Sequence, residues 1–336
     1  QTGSIKTGTF VPVNGEGYFV DTSGGVSTAN LPAGSAGAIV SFADYTRTFQ
    51  TNNLTITPNG SEKIGGVAAN FVAQTEGQSI TLVYVDATEG WINTAESTGQ
   101  AGLLPAFITA CGGTPTTVGD YKIHTFTGPG TFTVTCAGNP LGSDSVDYIV
   151  VAGGGSGGVG ADAGGAGGGA GGFREGLNPG SYTASPLATT ALPVTVQGYP
   201  IVVGGGAPSA PSSSPTPFPP APNGSISTFS SITSAGGGGG VGCSGGGING
   251  EPGGSGSGAG GATPSSNTGG TGNTPPVSPP QGTNGESKTG QYGAAGGGAT
   301  QAGGVAGIRI GGAGATTNIL GTPTSYAGGG GGSNPN

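Results

Sequence analysis

"VAGGGSGGVGADAGGAGGGAGGFREG" spans residues 151–176, and its first residue closes an apolar run, DYIVV. Gly153, Gly155 and Gly158 spell G-x-G-x-x-G after a strand-like stretch, which is the fingerprint of a dinucleotide site. That fingerprint needs a helix next, because the pyrophosphate rests on a helix N-terminus. Residues 158–172 hold nine glycines, each costing about 1 kcal/mol against alanine in a helix. A helix here would start about 9 kcal/mol in deficit. The acidic residue that should close a second strand about 20 positions on is Glu175, which sits in FREGLNPGS, a turn-like stretch. The nucleotide reading fails, and the glycines need another explanation.

Collagen requires glycine at every third residue, and here that register breaks repeatedly. Fibrous silk would need long uniform repeats, whereas these tracts are separated by distinct loops such as APSAPSSSPTPFPPAPN (207–223) and ATPSSNTGGTGNTPPVSPPQGTN (262–284). The remaining ordered form is polyglycine II, with three residues per turn, a rise of about 3.1 Å and no internal hydrogen bonds. Its backbone groups must bond to neighbouring helices, which glycine permits by letting backbones approach. The tracts predict about eight to twelve such helices, packed as a bundle or sandwich. Ser156, Val159 and Asp162 recur every third residue and are expected on an outer edge. Such a scaffold is rigid and a poor source of catalytic groups.

Composition agrees. The 336 residues include 80 Gly and 26 Pro, and charged residues make up only 7%. The net charge of −8 argues against a nucleic-acid binder, which needs a basic patch. No apolar run approaches the roughly 18 residues of a membrane span. The chain contains no Met, which reads as a processed product or a segment of a longer chain. Cys111, Cys136 and Cys243 lack metal-ligand spacing; a Cys111–Cys136 bridge and free thiols both remain open. No nucleophile, base and acid are grouped, so neither an enzyme nor a cofactor is expected.

Upstream, the pattern is ordinary β protein. In SITLVYVDA (79–87), Ile80, Leu82 and Tyr84 share one face. GYFVDTSG, AIVSFADY, NLTITPNG, EKIGG, NFVAQ and GWINT supply further short strands, with turns at Asn59-Gly60 and Glu89-Gly90. Residues 1–98 therefore read as a sandwich or barrel-like module. Its expected core is Phe19, Leu31, Ile39, Phe42, Leu54, Ile56, Ile64, Ile80, Leu82, Tyr84 and Trp91. That core is small, which suggests that partner subunits complete it. Residues 99–118 read as a linker and 119–151 as a β-hairpin plus a leading strand, with the hairpin turning at Gly128-Pro129-Gly130. Residues 152–336 form the glycine-rich domain. The fold class is thus all-β followed by polyglycine II, with little or no α-helix.

Five stretches, YKIHTFTGPGTFTV, VDYIVVAGGGSGG, GAGGGAGGFREG, ITSAGGGGG and SYAGGGGG, resemble the glycine-rich domain of tailed-phage structural proteins, tail-fibre tip adhesins in particular. The N-terminal stretch from GYFVDTSGG to GSEKIGG similarly resembles β modules of phage fibres. The resemblance implies a virion location, assembly with other virion proteins and a homotrimer through the N-terminal module. It also implies loops between polyglycine helices that contact a host surface glycan or outer-membrane protein, with no nucleic acid bound and no membrane insertion. Two other readings stand beside it. One is a purely architectural virion protein. The other is a cellular glycine-rich wall or ice-binding protein, which the irregular Pro-rich loops disfavour.

Single residues sort accordingly. His124 reads as structural, Asp144 and Asp147 as turn caps, and Trp91 as core or subunit interface. Arg174 and Glu175 read as a surface pair. Phe218, beside Pro217 in a stiff polar loop, is the foremost candidate receptor contact. Tyr292 and Tyr199 are weaker versions of the same case.

Overall fold

The computed structural model describes residues 4–96, 106–139, 142–160, 164–210, 219–242, 248–261, 266–289, 292–304 and 309–333. Among them there are strands and extended tracts but no helix. The chain divides into two compact units, residues 1–108 with 136–144, and residues 109–135 with 145–336.

The first unit is an open two-sheet sandwich. Its strands are β1 (Thr9–Phe10), β2 (Glu16–Val20), β3 (Ser27–Asn30), β4 (Ile39–Asp44), β5 (Leu54–Thr57), β6 (Phe71–Ala73), β7 (Ser79–Asp86) and β8 (Gly90–Glu96). One sheet has the order β1-β3-β5-β6 and the other β2-β4-β7-β8. The first five strands alternate between the sheets, so the chain coils around the core. The parallel pairs β1/β3, β3/β5 and β2/β4 follow from this, each crossover being a strand of the opposite sheet.

Alternation decides which residues enter the core. Tyr18 and Val20, Val40 and Phe42, Leu54 and Ile56, and Ile80 and Leu82 point inward to meet Phe49, Phe71 and Trp91. Trp91 is fully buried and its indole N–H donates to Glu62 Oε2 at 3.2 Å. Gly90 precedes it with φ +71°, and a Cβ there would stand 2.0 Å from the Lys63 carbonyl, so this turn requires glycine. Two expected core residues belong elsewhere. Phe19 and Ile39 are each 41% exposed, because their neighbours Tyr18 and Val40 hold the inward positions and period-two alternation turns them out.

The second unit starts with β9 (Ile108–Cys111), β10 (Thr114–Val118), β11 (Tyr121–Thr125) and β12 (Gly130–Ala137). The expected hairpin across 128–130 does not form, since β11 and β12 lie in different sheets. β11 pairs instead with β10, Val118 facing Tyr121. Gly119 at φ +57° supplies the left-handed residue that a tight reversal needs. Two strands thus occupy part of the stretch read as a linker. Cys111 and Cys136 are free, exposed thiols.

The remaining strands are β13 (Ser145–Val146), β14 (Tyr148–Val151), β15 (Phe173–Leu177), β16 (Ala188–Thr190), β17 (Leu192–Pro193), β18 (Gly198–Val202), β19 (Ser227–Phe229), β20 (Ile232–Ser234), β21 (Ser266–Asn267), β22 (Lys288–Thr289), β23 (Ala315–Thr317) and β24 (Thr324–Tyr326). They form small sheets, among them β20-β19-β18-β12-β9 and β14-β15-β16. Most continue directly into glycine tracts.

The tracts bond mainly to one another through their backbones. From Gly153 to Gly158 the N–H groups of residues 153 and 156 reach Ser225 and Pro222, while those of 155 and 158 reach Gly169 and Ala166. Bonds in one direction therefore recur every three residues, the period of polyglycine II. Ser156 is half-buried; its backbone donates to Pro222 and accepts from Gly240, and Gly157 beside it is exposed. Asp162 lies outside the described residues.

Candidate recognition surface

Tract 166–172 is wholly buried and sets the frame. Its residues 166, 169 and 172 donate to Val241, Gly238 and Ala235 and accept from Gly158, Gly155 and Ala152. Residues 167 and 170 donate to Ala294 and Gly297 and accept from Gly258 and Ser255. Gly168 accepts from Gly330. These partners fix the direction of four neighbouring tracts: 152–158, 235–241 and 255–258 run antiparallel to the centre, and 294–297 runs parallel.

The directions give the bundle two chemically different ends. At the end near Gly172, the tracts pass into β14, β15, β18 and β19. Phe132, Tyr148, Tyr199 and Phe229 pack there, with ring centroids 6.0–6.5 Å apart. Tyr199 is 6% exposed, and its hydroxyl accepts the Thr195 N–H at 2.7 Å. It is a core residue and presents no ring to a partner. His124 belongs to the same cluster, edge-on to Phe132 and with Nδ1 2.7 Å from the Gly112 carbonyl.

Glu175 stands at this end too, and it is not a surface residue. It is 1% exposed. Its Oε1 accepts the Thr317 hydroxyl at 2.5 Å and the Tyr182 hydroxyl at 3.1 Å, and Oε2 accepts the Ser185 N–H at 2.9 Å. Burial, and then the Glu175 charge, push the Tyr182 phenol above its ordinary 10.0. Asp147 Oδ1 accepts the Asn178 N–H at 2.7 Å, tying the same turn. Rarity of charge in a glycine-rich stretch was the only sign of Glu175 in the sequence; its partner Thr317 is 142 residues away.

The opposite end lies beyond Gly158 and Ala166. Around it Ala221 donates to Gly240, Ile248 exchanges bonds with Gly260, Gly304 donates to Ile310 and Gly332 donates to Arg309. Gly160, Gly242, Gly261 and Gly304 lie at this end. Side chains are sparse. The Lys288 ammonium is buried and donates to the Gly261 carbonyl, and Asn267 Nδ2 donates to the Gly260 carbonyl at 2.6 Å. Tyr292 is half-buried at this end, with the Arg309 guanidinium 4.3 Å from its ring centroid. One face of that ring is thus already covered by a cation. Phe218 and Pro217 lie outside the described residues. Among the described residues no group of three or more His, Cys, Asp or Glu is placed to hold a metal.

A family model described as a glycine-rich domain matches residues 124–336. Comparison with curated proteins finds no match.

Proposed function

From the premise that this chain belongs to the glycine-rich domain family, we propose that it is a virion structural protein. We assign it to a tail fibre or fibre tip, with the glycine bundle displaying receptor-binding loops. One observation carries this reading: the described tracts are tied to one another mainly by backbone hydrogen bonds and present few side chains of their own. A scaffold whose tracts carry little beyond hydrogen, methyl and hydroxymethyl groups has almost no binding chemistry of its own, so recognition falls to the connections. A rigid lattice also bears the ordering cost before a partner arrives, which favours affinity in loops held this way. Partners on this reading are other virion subunits and a host surface glycan or outer-membrane protein. The outward face of the β2-β4-β7-β8 sheet supports self-association, because Phe19, Ile39, Ala43, Val83 and Ile92 bring no charge to it.

The test is adsorption of particles to host cells. Phe218→Ala, alone and with Tyr292→Ala, is expected to abolish adsorption while particle assembly and the melting temperature stay unchanged. Normal adsorption by the double variant would transfer the assignment to a purely architectural virion protein.

A further inference from the structure

Tract 166–172 has places for six neighbours in the polyglycine lattice, since three sets of N–H and three sets of C=O groups radiate from it. Among the described residues five are filled, and they form an incomplete ring. Residues 237 and 240 donate to 153 and 156; 254 donates to 236 and 238 to 255; 297 donates to 256; 296 donates to 330. The order around the centre is therefore 152–158, 235–241, 254–260, 293–299, 327–332, and then a gap.

The gap is a groove of about 470 Å³ lined by glycines with Ala166, Ala170 and Ser333. That volume would suit a small ligand, but the lining offers backbone groups and almost no side chains to select one. Its polar groups are ordered instead for a strand. On the floor, the N–H groups of Gly165, Gly168 and Gly171 donate no hydrogen bond among the described residues. On the walls, the carbonyls of Gly155 and Gly158, and of Gly328 and Gly331, accept no N–H among the described residues. Each set repeats at three residues, the repeat with which every filled side of this tract is bonded.

We propose that this groove binds one extended glycine-rich strand in the polyglycine II conformation, supplied by another polypeptide. The incoming strand accepts from the floor and donates to both walls, completing the ring. Strands bearing side chains larger than glycine's fit poorly, because at glycine positions on the filled sides a Cβ meets a carbonyl: 2.2 Å at Gly167 from Gly330 and 2.1 Å at Gly169 from Ser255.

The test titrates the full chain with a soluble, fluorescently labelled peptide of repeated Gly-Gly-Ser, against the same peptide with every Gly replaced by Ala. Saturable binding of the first peptide is expected, at least tenfold weaker for the second, with movement of the Gly168 and Gly171 amide resonances. Gly154→Val with Gly157→Val fills the groove from one wall, where a new Cβ meets no atom closer than 3.8 Å. This variant is expected to keep the parent melting temperature and lose the peptide. No binding, equal binding of the alanine peptide, or undiminished binding by the filled variant with its melting temperature intact would overturn the proposal.

Discussion

Glu175 shows how much one side chain does where few are available. Its carboxylate collects a hydroxyl from Thr317, a hydroxyl from Tyr182 and the Ser185 N–H, joining β15, the turn after it and β23. Glu175→Gln keeps the shape but turns one acceptor into a donor facing a donor. We expect a loss of about 2–3 kcal/mol in denaturant unfolding; a midpoint and slope equal to the parent's would show the network to be dispensable. Tyr182 adds a pH dependence. Its folded-state pKa lies above the ordinary 10.0, so the folded state holds the phenolic proton more tightly than the unfolded state does. The corresponding stability is complete below pH 10 and falls as pH rises past it. Tyr182→Phe is expected to lose less stability between pH 9 and 11 than the parent, measured by thermal melts. None of this was legible locally: FREG marks the end of a glycine tract, but nothing in it names Thr317.

Elements were legible where their pattern is self-contained. The tracts identified themselves, since nine glycines in 158–172 leave little but polyglycine II. Strands β2, β4, β5 and β7 followed from alternating apolar residues. Strand β3, Ser-Thr-Ala-Asn, did not, because it is buried only through the small residues Ser27 and Ala29. The β10–β11 hairpin was misplaced because Gly128 and Gly130 offered as good a turn as Gly119 did, and the choice rests on which strand finds a partner across the sheet. The lattice makes a sharp prediction about substitutions. At Gly169 a Cβ would stand 2.1 Å from the Ser255 carbonyl, a backbone atom that can yield only if a tract shifts, whereas at Gly205 nothing lies within 4 Å. Gly169→Ala should cost about 1–3 kcal/mol or more, and Gly205→Ala should be neutral or slightly stabilising through the unfolded state. Calorimetric melts of the two variants check this, and equal melting temperatures would mean that the tracts are not packed as a lattice.

At the scale of the whole molecule, the sequence suggested partner subunits from the size of the N-terminal core. The expected N-terminal core looked too small, yet the observed one gains Tyr18, Val20, Val40, Phe49 and Phe71 and closes within one chain. On the proposed fibre assignment, a partner would meet the residues that alternation turned out of it. Phe19 packs edge-on against Tyr45 at 6.2 Å in the open, with Ile39 and Val85 exposed on the same sheet. The Ser41 and Thr81 hydroxyls bond to each other between them at 2.9 Å. An uncharged sheet face with exposed apolar residues is unusual for a surface in contact with water, and on the proposed assignment it would meet a copy of itself without charge repulsion. On the proposed fibre assignment three copies share this face, so the full chain should scatter light as three times 31.4 kDa, and its melting temperature should rise with concentration. Phe19→Asp with Ile39→Asp places carboxylates at the contact while leaving the core untouched. That variant should scatter as one chain and melt without concentration dependence. A parent that is already a monomer, or a double variant that remains a trimer, removes this face as the seat of assembly.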